Sequence, residues 1–186
     1  AGVEKAKLVC EQLHMAKEKG LHIRKNEVKF AMDAVDKNGK MSEHPLIHGK
    51  GGAAEFVLAE REGREPIVLS QKDVRELQLA KAAIRLGIQA LVQMEGIEES
   101  DIEQVVIAGA FGTFIDVESA IVIGMLPPLP RKRFKQVGNA AGTGARLTLI
   151  SQSKRAEAEE IARRGGYIEL AAMPNFNRKF AEATYL

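Results

Sequence analysis

The amino-acid sequence predicts an α/β domain, because amphipathic helical patterns alternate with short apolar runs along its 186 residues. A continuous apolar run at 105–108 that ends in Gly109 indicates a strand buried on both faces, as in a parallel or mixed sheet between helices. Hydrophobic residues make up 45% of the chain and charged residues 28%, which is typical of a globular domain and not of a disordered tail. The length fits one domain or one lobe of a larger protein.

Composition excludes several classes of function. A net charge of +2 is too small to predict binding to nucleic acid or to an anionic membrane. No apolar run approaches the ~18 residues that span a membrane, and the charged N-terminus does not resemble a signal peptide. The one cysteine, Cys10, excludes an internal disulfide, and the histidines show no metal-ligand spacing. We therefore expect a cytoplasmic protein without a metal site. Because the sequence does not begin with Met, we expect it to be processed or part of a longer protein.

The first part of the chain predicts helices and then a β-hairpin. Amphipathic helical patterns cover 3–19 and 26–35, and a turn follows at 36–40. Residues 48–52 suit a flexible loop, and apolar runs at 56–59 and 66–69 flank a turn at Gly63. We assign 1–49 to an N-terminal helical segment, either a linker or part of the same lobe, and 50–186 to the main lobe.

The main lobe continues with four further helices and three strands after one long helix. That helix covers 71–95: an S-x-x-D capping box at Ser70 opens it and Gly96 closes it. The remaining elements are predicted from periodicity, caps and glycine or proline breaks. Strands are expected at 105–109, 134–137 and 167–170. Helices are expected at 116–124, after the small residues 138–145 through 150, at 153–164 (capped by Ser153) and after Pro174.

The motif most suggestive of a ligand is the end of the apolar strand, Gly109, Ala110, Phe111 and Gly112. Small residues there let a flat ligand or a phosphate approach the backbone. A plain strand-to-helix turn, with glycine supplying a positive φ, explains the same residues. The motif is neither the dinucleotide-binding G-x-G-x-x-G nor a P-loop.

Two other patterns leave alternatives open. Gln78, Lys81 and Arg85 lie three and four residues apart on one face of the long helix, which indicates either a solvated surface or a face turned to a polar ligand. Small residues at 138–145 allow close packing of two elements, and direct ligand contact is the second interpretation. No catalytic residue can be identified from these patterns.

Three segments in this order resemble the C-terminal region of the ATP-dependent reductive activators of corrinoid proteins, also called methyltransferase activation proteins. They are SQKDVRELQLAKAAIRLGIQAL (70–91), VVIAGAFGTFIDVESAIVIGMLP (105–127) and VGNAAGTGARLTL (137–149). The resemblance covers about 50–186 well and 1–49 loosely. It implies an RNase-H-like lobe of the actin-like ATPase (ASKHA) fold, with a mixed sheet flanked by helices.

The resemblance also implies the ligands. The adenosine side of an ATP/ADP site would comprise Gly109, Ala110, Phe111 and Gly112, together with the stripe of Gln78, Lys81 and Arg85. The helix after Gly138 would connect the two lobes. ATP or ADP with Mg²⁺ is then expected in the full-length protein, and an iron–sulfur cluster only in a domain absent from this chain, which also lacks the D-x-G-T phosphate loop.

The function implied is ATP-driven reduction of an inactive Co(II) corrinoid protein to Co(I). The corrinoid protein and the adenine nucleotide are the expected partners, and we expect no turnover of ATP by these residues alone. Two alternatives stay open: a non-catalytic module that docks a corrinoid protein, and a lobe of another actin-like kinase. The oligomeric state does not follow from the sequence.

Overall fold

The computed structural model describes residues 35–41, 45–49 and 51–186. These residues form two compact units: the first contains the described residues up to Leu86 together with Asn177–Leu186, and the second is Gly87–Phe176. The helices predicted at 3–19 and 26–35 lie outside the described residues, except for Val35, which pairs with Met41 in an isolated antiparallel bridge.

A three-stranded antiparallel sheet forms the first unit. The strands are β1 (Ile47–His48), β2 (Glu55–Ala59) and β3 (Ile67–Ser70), in the order β1-β2-β3. Phe56 pairs with Leu69, and the register shifts between Val57 and Ala59. The predicted hairpin is therefore confirmed.

The long helix α1 (Gln71–Glu95) is confirmed with the predicted boundaries. The Asp73 carboxylate accepts hydrogen bonds from the Ser70 amide at 2.9 Å and from the Ser70 hydroxyl at 2.6 Å, which is the side of the capping box that fixes the start of the helix. Gly96, with a φ of 64°, follows its last turn. The part of α1 up to Leu86 belongs to the first unit and the remainder to the second.

The core of the first unit packs α1 onto the sheet. Met41, Ala54, Phe56 and Val74 are buried together, and the partly buried side chains packed against them include Leu186. Burial of such side chains contributes most of the stabilisation of a small unit.

One polar side chain, Gln71, is buried at the edge of this core and is only 4% exposed. Its side-chain oxygen accepts a hydrogen bond from the Met41 amide at 2.8 Å, and its side-chain nitrogen donates to the Gly39 carbonyl at 2.6 Å. Gln71 therefore fastens the 39–41 segment to the start of α1, since buried polar groups need such partners.

The second unit is built on a parallel strand pair. β4 (Val105–Ala108) pairs with β5 (Phe134–Gly138), with Val105 opposite Phe134 and Ile107 opposite Gln136. The helices that follow in the chain are α2 (Gly109–Phe114), α3 (Val117–Val122), α4 (Ala140–Ile150), α5 (Gln152–Arg164) and α6 (Phe176–Thr184), the last of which lies almost wholly in the first unit.

Three helices of this unit have side-chain N-caps. Asp116 begins α3 as predicted, Asn139 caps α4, and the cap of α5 differs from the prediction. The Asp116 carboxylate accepts from the Ser119 amide at 2.8 Å, and the Asn139 side chain accepts from the Gly142 amide at 2.9 Å. Ser151, and not Ser153 as predicted, caps α5 through the Lys154 amide. Ser151 has the extended φ/ψ of a cap residue, whereas Ser153 lies within the helix.

Two other predictions about the second unit are wrong. Residues 167–170 form no strand in the structure; instead, a 3₁₀ turn covers Leu170–Ala172. β4 is not buried on both faces, because Val105 and Ile107 are half-buried while Val106 is 54% exposed.

None of the helices in the part of the chain that the structure describes could span a membrane.

Candidate functional site

The polar stripe on α1 is buried rather than solvated. Gln78 and Lys81 are 7% and 3% exposed, and Arg85, one turn further along, is half-buried. Lys and Gln are seldom buried without a specific partner. The interpretation of the stripe as an ordinary solvated helix face is therefore wrong for Gln78 and Lys81.

Backbone carbonyls near the end of α6 contact this stripe. The Gln78 side-chain amide donates to the Thr184 carbonyl oxygen at 2.9 Å, and the Lys81 ammonium donates to the Tyr185 carbonyl oxygen. The next amide, that of Leu186, donates to the Lys37 carbonyl at 3.1 Å. Residues 184–186 thus lie across the polar face of α1.

Burial shifts the pKa of one residue of the stripe, Lys81. The pKa of Lys81 is lowered from its ordinary value of 10.5, first because burial disfavours the ammonium and second because the Arg85 guanidinium lies nearby. The Lys81 ammonium and the Arg85 guanidinium therefore lie close enough on this face to influence each other.

The turn at 36–40 packs against the same face. The Asp36 carboxylate accepts from the amides of Asn38 at 2.8 Å and Lys40 at 2.9 Å, which holds the turn. Gly39 has a φ of 75°, and a Cβ there would overlap the side-chain amide of Gln78. Glycine is therefore needed at position 39 for conformation and for close approach.

The two glycines of the 109–112 motif have different environments. Gly109 ends β4 with a φ of 79°, is exposed, and has no atom within 4 Å of the place that a Cβ would take. Gly112 is buried, and a Cβ there would overlap the Ile107 carbonyl oxygen. Gly112 therefore serves the packing of α2 against β4, whereas the backbone at Gly109 is open to a ligand.

The predicted site residues thus form two groups. Gln78, Lys81 and Arg85 lie in the first unit, on α1. Gly109 and Gly112 lie in the second unit, with Ala110 and Phe111 between them in the first turn of α2. All residues of each group therefore lie within one unit.

Sequence reasoning missed the contribution of Thr184 and Tyr185. Their carbonyl groups, and not their side chains, contact the stripe. A backbone acceptor has no signature in the sequence because every residue carries one. The amphipathic pattern of the terminal helix was the only available signal that residues near 184 pack against another element.

A metal centre is not apparent in the part of the chain that the structure describes. No group of three or more His, Cys, Asp or Glu side chains there is arranged to hold a metal ion. Phosphate-bound Mg²⁺ is usually held by one or two carboxylates and several waters.

Comparison with known proteins identifies relatives over most of the chain. Residues 23–186 match the family model described as the C-terminal domain of RACo, the ASKHA domain. The corrinoid activation enzyme RamQ of Eubacterium limosum is 48% identical over 115 residues, which are 62% of this chain and 19% of that protein. The [Co(II) methylated amine-specific corrinoid protein] reductase of Methanosarcina barkeri is 31% identical over 113 residues, 60% of this chain and 21% of that protein.

A solved structure is similar as well. The reductive activator for corrinoid, iron-sulfur protein superposes with a TM-score of 0.72 at 34% identity, covering 82% of this chain and 25% of the activator. The chain thus spans about a fifth of the length of the curated relatives it matches and a quarter of the solved one. The α/β fold class and the resemblance predicted from the sequence are confirmed.

Proposed function

Since the chain belongs to the family of the C-terminal ASKHA domain of RACo, we propose that it is the nucleotide-binding domain of an activator that uses ATP to reduce an inactive Co(II) corrinoid protein to Co(I). The observation that carries the proposal is the family match over residues 23–186. The names of two relatives support it: one is a corrinoid activation enzyme and the other a [Co(II) methylated amine-specific corrinoid protein] reductase.

The residues of this chain fit the adenosine side of a nucleotide site. At Gly109 the open backbone leaves room for a flat base or a ribose, and Ala110, Phe111 and Gly112 continue the same turn. Separately, in the first unit, Gln78, Lys81 and Arg85 are the hydrogen-bonding and cationic side chains that the resemblance assigns to the adenosine. In the proposed site, ATP supplies the free energy that offsets an otherwise unfavourable reduction.

The redox and phosphate-binding parts belong outside these residues. Cys10, the one cysteine of the sequence, cannot hold a cluster that needs four thiolates. The described residues also lack an acidic cluster for Mg²⁺. In this proposal the chain binds and orients the nucleotide, while the electron donor and the phosphate loops lie elsewhere in the full-length activator. The corrinoid protein is the proposed partner, and the reduction takes place on its cobalt.

A second candidate is a non-catalytic module that docks a corrinoid protein. The observation favouring it is that Gln78 and Lys81 already donate to carbonyls of this chain. These two hydrogen bonds give Gln78 and Lys81 a structural role that does not require a ligand. The family match makes another actin-like kinase the least supported of the original alternatives.

Titration calorimetry with ADP tests the proposal against the docking module. Contacts to base and ribose without phosphate loops should give high-micromolar to millimolar affinity, or roughly −4 to −6 kcal/mol. Gly109→Asn tests the site because asparagine tolerates a positive φ while filling the open space. Gly63→Asn is the matched control: Gly63 also has a positive φ and open surroundings, but it lies in the β2–β3 turn.

We expect Gly109→Asn to weaken ADP binding by about tenfold or more, as an added side chain in a nucleotide pocket does. The Gly63→Asn variant should bind like the unsubstituted chain. Equal affinity of all three proteins would refute the role of Gly109. Absence of ADP binding by the unsubstituted chain would favour the docking module.

A further inference from the structure

The two parallel strands of the second unit end side by side. Ala108, the last residue of β4, pairs with Gly138, the last residue of β5. The residues that follow them, Gly109 and Asn139, are therefore neighbours at one edge of the sheet, since adjacent strands lie about 4.8 Å apart. Open α/β sheets bind their ligands at this kind of edge, outside the carboxyl ends of parallel strands.

The turn at Gly138 has free space beside its backbone, as the turn at Gly109 has. Gly138 has a φ of 60°. Outside the adjoining residues, the nearest atom to the place that a Cβ would take is the Thr113 hydroxyl oxygen, at 3.7 Å. Thr113 lies in α2 and is exposed. A hydroxyl group thus lies beside the second glycine turn at the same edge of the sheet.

The Asn139 side chain carries a hydrogen-bond donor that the fold does not use. Its oxygen accepts from the Gly142 amide at 2.9 Å, which caps α4. Asn139 is exposed, and within the described part of the chain no atom accepts from its side-chain nitrogen. The cap needs only the oxygen, because aspartate and serine cap helices about as well as asparagine does. The nitrogen can therefore donate to a ligand while the cap stays in place.

We infer that Asn139 is a specificity-determining residue of the proposed nucleotide site, where its side-chain nitrogen donates to a ring nitrogen of adenine and the Thr113 hydroxyl offers a second hydrogen bond. The inference rests on the proposed function for the presence of a nucleotide at Gly109. Neither side chain carries a charge, so both suit the base more than the phosphates.

The hydrogen-bonding pattern of the bases makes the donor selective. The ring nitrogens N1, N3 and N7 of adenine all accept hydrogen bonds, whereas guanine carries donors at N1 and at its 2-amino group. A donor at position 139 therefore favours adenine, and an acceptor in its place would favour guanine.

The affinities of the full chain for ADP and for GDP, measured by NMR titration, test this role. We expect the unsubstituted chain to bind ADP about three- to tenfold more tightly than GDP, the range that one hydrogen bond supplies. Asn139→Asp keeps the cap and replaces the donor by an acceptor, so this preference should disappear or reverse. The added charge cancels in the ratio of the two affinities, because both ligands carry the same diphosphate.

Three further variants complete the test. Gln152→Glu is the charge-matched control, since Gln152 is exposed at the start of α5, and it should keep the preference for ADP. Asn139→Ser is uncharged, keeps the cap and lacks the amide, so it should lose the preference even if Asn139→Asp does not fold. Thr113→Val should weaken ADP binding about two- to tenfold, as loss of one hydrogen bond does. Thermal unfolding checks that each variant is folded.

The outcomes separate this role from the nucleotide proposal. If the unsubstituted chain binds ADP and GDP equally, or if both Asn139 variants keep its preference for ADP, the role of Asn139 is overturned while the nucleotide proposal stands. Absence of ADP binding by the unsubstituted chain overturns both. Loss of the preference in the Asn139 variants, with the preference kept in Gln152→Glu, supports both.

Discussion

Gln71 offers the sharpest test of how the first unit is held together. Gln71→Met keeps the length and helical preference of the side chain but removes the side-chain amide that makes both hydrogen bonds. The Met41 amide and the Gly39 carbonyl, each in a buried residue, then lose their hydrogen bonds. An unsatisfied buried group costs about 1 to 3 kcal/mol, so for two such groups we expect a loss of about 2 to 6 kcal/mol in the free energy of unfolding.

Urea unfolding followed by circular dichroism measures this loss, with Gln89→Met as the control. Gln89 is an exposed glutamine on the same helix, and its replacement should change stability by about 0.5 kcal/mol or less. Hydrogen exchange gives a local reading, because the Met41 amide donates to the Gln71 side chain. Unchanged protection of the Met41 amide in Gln71→Met, or equal effects of both substitutions, would refute this account of the unit.

Two further outcomes follow from the glycines and from Lys81. Gly112→Ala should destabilise the second unit, because the added Cβ would overlap the Ile107 carbonyl oxygen. Gly144→Ala on α4 should instead stabilise the protein by about 0.5 to 1 kcal/mol, because its Cβ meets no atom within 4 Å. Thermal unfolding of the two variants checks this contrast. The pKa of Lys81 is lower in the folded chain than the ordinary 10.5, so the unfolded chain binds more protons between the two values and stability rises with pH through that interval. Relative to Lys81→Met, the unsubstituted chain should therefore gain stability as the pH rises toward 10.5, and a flat difference would contradict the burial of the ammonium.

Local chemistry made most of the secondary structure predictable. Ser70 and Asp73 predicted the start of α1, and Asp116 predicted the start of α3, because a capping side chain and the amide that it accepts from lie within one turn. Ser153 misled the prediction since Ser151, two residues earlier, is equally able to cap. Between two serines so close together, the backbone φ/ψ decides, and the sequence does not display it.

Burial was the less predictable property. An apolar run such as 105–108 suits a strand covered on both faces, yet Val106 is exposed because the covering of a face depends on elements distant in sequence. For the polar stripe the prediction of burial was wrong in the opposite sense, because side chains that suited a solvated face are buried. Gln78 and Lys81 have the spacing of a solvated face, yet both are buried and donate to carbonyls more than a hundred positions away.

The two glycines of the 109–112 motif show why the candidate site was only partly predictable. Their spacing fits a ligand-binding turn and a packing turn equally well, and the structure assigns one role to each: Gly109 is open, and Gly112 is closed by Ile107. A motif can thus be necessary for the fold at one position and available for binding at the next. The same division applies on α1, where Lys81 has the chemistry of a ligand-binding group but is buried and donates to the Tyr185 carbonyl. In both places the residue type predicts the chemistry that is possible, and the packing around it determines whether a ligand can reach it.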